Sequence, residues 1–274
     1  MTQFVDTHCH IHDEAFFPED RDSVYARAVA EDVAMICVGT SQKDSWQAVE
    51  FTQSRAQTWA AVGVHPHDSS EGVEQIGMIL HEKHEKVVGI GEIGLDYYYL
   101  NSTREQQIAA LEQQLQWAID YSLPVCFHVR DSKTQPGAVW DDFWPIVDNF
   151  SGVQGLLHSF SDTRGQLERG LSRDFAIGVN GISTFTKNAE QQAMFASIPL
   201  DKMMLETDAP FLTPVPFRGR INEPSFVGRV AEHMATVLGV SLDLVSASTT
   251  ANAERFFGIT TGTVHDSNSI PYIT

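Results

Sequence analysis

The chain has 274 residues, 42% of them hydrophobic, enough for a sizeable core in one large α/β domain or two small ones and too many for wholesale disorder. Its 36 acidic against 18 basic residues give a net charge of −18, which argues against a broad electrostatic grip on duplex DNA or an anionic membrane. A phosphate-bearing substrate remains compatible, because bound divalent cations would dominate the local field.

Apolar, β-rich runs alternate with longer amphipathic segments from end to end. Strands are expected at residues 3–7, 34–39, 59–64, 87–91, 124–128, 154–158, 176–179 and 203–206. Helices are expected between them, at 20–31, 45–55, 73–85, 104–121, 139–150, 164–173 and 190–196, and after a proline-rich loop at 226–238 and 242–257. Near-continuous apolar strands separated by helices mean a parallel sheet covered on its faces. Eight such units suit a single-domain (β/α)₈ TIM barrel better than an open sheet. The barrel domain is expected over residues 1–258, with a polar C-terminal tail at 259–274. No apolar run reaches the ~18 residues of a membrane span and no basic-then-apolar leader is evident, so a cytoplasmic protein is expected. Cys9, Cys37 and Cys126 then read as reduced, mostly buried thiols.

In a barrel of this kind the active site is built at the C-terminal ends of the strands. His8 and His10, two residues apart, end the first strand and would aim their imidazoles to one side. Glu92 ends the fourth, His128 the fifth, His158 the sixth, and Asp208 the eighth. Four imidazoles and two carboxylates thus converge on one rim. Six donors exceed the three protein ligands of a typical mononuclear catalytic site, so two divalent ions are expected. Glu92, about midway round the rim, is the natural bridge. Asp208 could hold an ion while accepting a proton from the attacking water. Imidazole-rich ligation suits zinc, manganese or similar ions better than calcium.

Other signals are weaker. Gly89–Gly94 spells Gly-x-Gly-x-x-Gly, but its glycines lie in and just past a strand instead of opening a helix, so a dinucleotide site is rejected. His65 and His67 end the third strand on the same rim, and His65 is the better candidate for a substrate contact. His81 and His84 belong to a charged, solvated helix face, while His12 and His233 carry no signal. Arg130, two residues past His128, and Arg220, in the loop after the eighth strand, are candidates for gripping an anionic substrate through their guanidinium forks. Arg218 in the same loop is as readily a surface ion pair.

Taken together, Asp6-Thr7-His8-Cys9-His10, Gly63-Val64-His65-Pro66-His67, Gly91-Glu92-Ile93-Gly94-Leu95-Asp96, His128-Val129-Arg130, Leu157-His158-Ser159-Phe160, Glu206-Thr207-Asp208-Ala209-Pro210 and Arg220-x-Asn222-Glu223-Pro224 resemble the TatD family of metal-dependent deoxyribonucleases. This family is part of the amidohydrolase-like barrel hydrolases, and the likeness runs to about Gly258. The resemblance implies two ions, with His8, His10 and Asp208 on one, His128 and His158 on the other, and Glu92 between them. It further implies magnesium as the usual metal and a 3′–5′ exodeoxyribonuclease acting on DNA ends or single strands. No membrane and no obligate protein partner are expected. Residues 131–140 are less family-like. The competing readings are an amide or lactone hydrolase on the same scaffold and a non-catalytic binding protein. The first is weakened because Glu92 stands where many amidohydrolases place a carboxylated lysine. The second is weakened by the full donor set.

Overall fold

The structure is a computed structural model that describes residues 4–17 and 20–262. Eight parallel strands, β1 (Phe4–Cys9), β2 (Val33–Val38), β3 (Thr58–Val62), β4 (Val87–Asp96), β5 (Val125–Arg130), β6 (Gly155–Leu157), β7 (Ala176–Val179) and β8 (Met203–Leu205), lie in sequential order round a sheet. A bridge between Cys9 and Ala209 brings the last strand's extension back to the first, and the fold is a (β/α)₈ barrel. The helices between strands are α1 (Arg21–Ala30), α2 (Gln42–Gln53), α3 (Glu74–Glu82), α4 (Arg104–Tyr121), α5 (Ala138–Asp148), α6 (Arg164–Leu171), α7 (Ile182–Phe185) and α8 (Ala189–Phe195). Two more follow β8, α9 (Val227–Leu238) and α10 (Leu242–Phe257). Hydroxyl caps start several of them: Ser41 for α2, Thr163 for α6, Ser241 for α10, and a full capping box of Thr103 with Gln106 for α4.

Two apolar layers flank the sheet. The larger lies between strands and helices, with Phe127, Phe143 and Trp144 wholly buried in it. The smaller fills the barrel interior with Val5, Ile36, Ala61, Val88, Cys126 and Leu156, and Ala253, Phe257 and Ile259 pack onto it from the C-terminal end of α10 and just beyond. Ile259 is buried and Thr261 bonds to Glu254, so the packed chain runs a little past residue 258. Most of the expected tail, 263–274, lies outside the described residues.

Most of the expected strand ends shift by one or two residues, so that His8 and His128 lie inside β1 and β5 and do not end them. The fourth and third ends shift in ways that change where site residues sit. β4 continues five residues beyond Gly91, so Glu92 sits inside the strand and does not end it. The extension stays paired, Gly94 through Asp96 running beside His128 through Arg130. The third strand stops at Val62, and residues Pro66–Glu71 form a short 3₁₀ turn after it, so His65 and His67 sit on the following loop and turn. The helix at Ile182–Phe185 was not anticipated.

Two bulges decide what faces the barrel interior. In β1, Asp6 pairs with Met35 and Cys9 with Cys37, three residues against two. In β4, Ile90 pairs with Val125 and Ile93 with Phe127, again three against two. An extra residue switches the alternation of a strand. Counted straight on from the inward Val5, His8 would point to the helices; after the bulge His8 and His10 point inward, and Cys9 between them packs outward. The same switch turns Glu92 inward after the outward Ile90.

Candidate active site

The six side chains expected at the rim all meet at the barrel mouth, around the carboxylate of Glu92. Its two oxygens lie 3.3 Å from His8 Nε2, 2.8 Å from His128 Nδ1, 3.6 Å from His65 Nε2 and 3.8 Å from His158 Nε2. Asp208 Oδ1 is 3.3 Å from His10 Nε2 and 3.9 Å from both His8 Nε2 and His158 Nε2. The backbone locks β1 and β8 together here, Asp208 N donating to His8 O and His10 N to Ala209 O.

Each imidazole is oriented from behind. His10 Nδ1 donates to the carbonyl of Val38 at 2.8 Å, which leaves Nε2 with its lone pair toward the cavity. His158 Nδ1 is held by Glu206 at 3.0 Å, and the other oxygen of Glu206 accepts from Ser159 N and Asn180 Nδ2. His128 Nε2 and His67 Nε2 share Asp96 Oδ2, each at 3.0 Å. His65 Nδ1 accepts from His67 N, so its Nε2 carries the proton and faces Glu92.

The electrostatics follow from this crowding. Burial acts to raise the Glu92 carboxyl, but the imidazoles of His65, His158, His128 and His8 outweigh it and hold it well below the usual range. Burial is likewise overcome at Asp208, by His10, His158 and His8. Burial lowers His8 and His65, reinforced by His158 and His128 respectively, so both are neutral. At His158 burial is outweighed by Glu206 and Glu92, and its pKa rises to about 10. His10 and His128 are also raised against burial, by Asp208 and by Asp96 with Glu92. The cluster thus collects positive charge between its carboxylates, the places that divalent cations would compete for.

The donor chemistry fits such cations. His8, His10 and Glu92 form one close set, and His65, Glu92 and His128 form another that shares the glutamate. His158 stacks on His8 at 3.5 Å between centroids and forms a set with His8 and Cys126, while its Nε2 faces Glu92 Oε1 at 3.8 Å, the same oxygen that His128 Nδ1 meets at 2.8 Å.

The cluster lines a cavity of about 690 Å³. Arg130 is on its wall, with its guanidinium 4.1 Å from the ring centre of Tyr98 and 4.9 Å from that of Tyr99. Arg220 is not on that wall. It lines a neighbouring groove of about 370 Å³ with Arg27 and Glu223, lying over Phe217. The sequence motifs contain Asp96 and Glu206, but the reading gave them no role, and it missed Asp44. Asp44 sits 3.0 Å from His12 Nε2 beneath the cavity, where His12 rises to about 9 and Asp44 falls to about 2 as each outweighs the other's burial. Asp96 and Glu206 stand within those motifs, which is the one signal that could have given them a role.

A family model, TatD related DNase, matches residues 5–258. A 3′–5′ ssDNA/RNA exonuclease TatD from Citrobacter rodentium is 35% identical over 252 residues, covering 89% of this chain and 94% of the relative. A metal-dependent hydrolase, YabD, from Bacillus subtilis is 33% identical over 257 residues, covering 93% and 98%. Among solved structures, the TatD homologue YJJV from Escherichia coli K12 superposes with a TM-score of 0.85 at 28% identity, covering 94% of this chain and 99% of that one.

Proposed function

Since the chain belongs to the TatD related DNase family and is therefore a metal-dependent hydrolase, we propose that it is a two-metal phosphodiesterase that shortens single-stranded DNA or RNA from the 3′ end. The observation that carries this reading is Glu92, whose carboxylate has four imidazoles from four different strands or loops within 4 Å. His8, His10 and Asp208 would hold one ion, His128 and His158 the other, and Glu92 would bridge them. Magnesium is the expected metal, with manganese or zinc as substitutes.

Bound divalent ions at such a site supply Lewis acidity, an activated water at neutral pH and a clamp on attacking and leaving oxygens. The chain's own residues do the rest. Asp208, ionised and exposed to the cavity, accepts the proton of the attacking water. His65, neutral with its proton on Nε2, donates a hydrogen bond to a phosphoryl oxygen. Arg130, stiffened by two tyrosines, grips a phosphate. Among the described residues no single helix is long and apolar enough to cross a membrane. With the cavity acidic overall and few arginines near it, binding is short-range and suits a strand end better than the middle of a duplex.

The test is a panel of end-labelled single-stranded DNA, single-stranded RNA, duplex DNA, circular single strands and amide and lactone substrates, assayed with magnesium, manganese and zinc in turn. Stepwise shortening of linear single strands from the 3′ end supports the reading. Hydrolysis of an amide or lactone with no phosphodiester cleavage overturns it in favour of the amidohydrolase alternative.

A further inference from the structure

Phe16 and Phe211 are large aromatic side chains left 41% and 46% exposed on the wall of the active-site cavity. Their rings meet edge to face, with centroids 5.1 Å apart at 81°, and Phe211 lies 6.4 Å from the ring of His10. Neither packs into the barrel core.

Their anchorage ties them to the chemistry. Phe211 N donates to Asp208 O, and Asn222 Nδ2 donates to the carbonyls of both Thr207 and Phe211. Phe16 hangs from the other strand of the closure: Asp13 N donates to His10 O, and Phe16 N to Asp13 O. Each ring therefore rides a short hydrogen-bonded turn that begins at His10 or Asp208. Such turns fix the distance between an aromatic face and the reacting centre. Phe16 also borders the adjoining groove that holds Arg220, so the pair stands where a chain leaving the cavity would cross toward that arginine.

We infer that Phe16 and Phe211 form a nucleobase-stacking subsite, which seats one unpaired base of the nucleotide adjoining the scissile phosphate. The inference rests on the phosphodiesterase reading above and adds the part of the substrate that is recognised. A protein of charge −18 cannot hold a polyanion by long-range attraction. Stacking costs no charge, tolerates any base because every base has a π-face, and strengthens binding about 5- to 150-fold per base. A base within a duplex is unavailable to such a platform, so the subsite also selects single strands and frayed ends.

The experiment uses end-labelled single-stranded oligonucleotides that carry either normal nucleotides or a tetrahydrofuran abasic residue at the terminal or penultimate 3′ position. Single-turnover kcat/KM is measured with saturating divalent metal. For the wild-type enzyme, loss of the base at one of the two positions is expected to lower kcat/KM by about 5- to 150-fold. In Phe16→Ala/Phe211→Ala that ratio should shrink to within about twofold of unity, whereas Phe211→Trp, which keeps a stacking face, should preserve or enlarge it. Wild-type cleavage indifferent to base removal at both positions overturns the subsite while leaving the nuclease reading standing. So does a double variant that loses the same factor on base-bearing and abasic strands. Failure to cleave any oligonucleotide overturns both.

Discussion

Replacing Glu206 with glutamine tests how the imidazole of His158 is prepared. Glu206 is fully buried, and as a carboxylate it can only accept: from His158 Nδ1 at 3.0 Å, Ser159 N at 2.7 Å and Asn180 Nδ2 at 3.1 Å. It therefore keeps the proton of neutral His158 on Nδ1 and leaves the Nε2 lone pair toward Glu92 and Asp208. Glutamine has one accepting oxygen, which the Ser159 and Asn180 donors claim, so its NH₂ faces Nδ1 and moves the proton to Nε2. A donor to the proposed metal centre is lost. Removing such an outer partner lowers metal affinity about 10- to 100-fold, or about 1.4–2.7 kcal/mol.

The same variant has a signature in the metal-free protein. His158 is raised to about 10, from 6.5, with Glu206 the foremost of the carboxylates that overcome its burial. A raised folded-state pKa contributes stability that is complete below pH 6.5 and is lost as pH rises through about 10. The contribution is on the order of 3–5 kcal/mol. Metal-free wild type should thus lose thermal stability between pH 7 and 10 more steeply than Glu206→Gln. The assays are calorimetric manganese titration and melting curves across that range. Unchanged metal affinity together with an unchanged pH slope would refute the reasoning.

Glu92→Gln keeps side-chain size but removes a charge and one good metal oxygen; activity should fall by at least ~10²-fold and metal content should drop, as measured by elemental analysis beside turnover. Asp208→Asn should lower kcat far more than it raises the substrate dissociation constant, and a steady-state profile beside equilibrium binding separates the two. Gly94→Ala should abolish soluble, metal-binding protein. A Cβ there would lie 1.8 Å from the carbonyl oxygen of His128, and φ at +150° is one that side-chain-bearing residues rarely adopt. Circular dichroism and a metal titration of any soluble fraction check it.

The barrel was legible because its strands are short apolar runs at even spacing, and the donors because most fall where those runs stop. The direction in which His8 and Glu92 point was less so. Both depend on bulges in β1 and β4 that no local pattern announces, and strict alternation from Val5 would have sent His8 to the wrong face. Arg220 illustrates the opposite limit. Its position in the sequence, past Asp208, suggested the cavity, but the loop carries it round to the neighbouring groove. Glu206 and Asp96 stood in recognised motifs without a role because their partners, His158 and His128, lie 48 and 32 positions away.

The closure of β1 on β8 has a temporal meaning. Asp6 receives hydrogen bonds from both the backbone and the hydroxyl of Thr207, 201 residues later, and the first cluster of donors straddles that seam. A nascent chain on the ribosome has His8 and His10 early, and Val38 and Glu92 beside them next, but not the Asp208 carboxylate that faces His10. Any chain interrupted before Asp208 is born without a complete donor set. Closure of the seam therefore waits on a contact across 201 residues, and the cluster at the barrel mouth is completed only when β8 comes to lie beside β1.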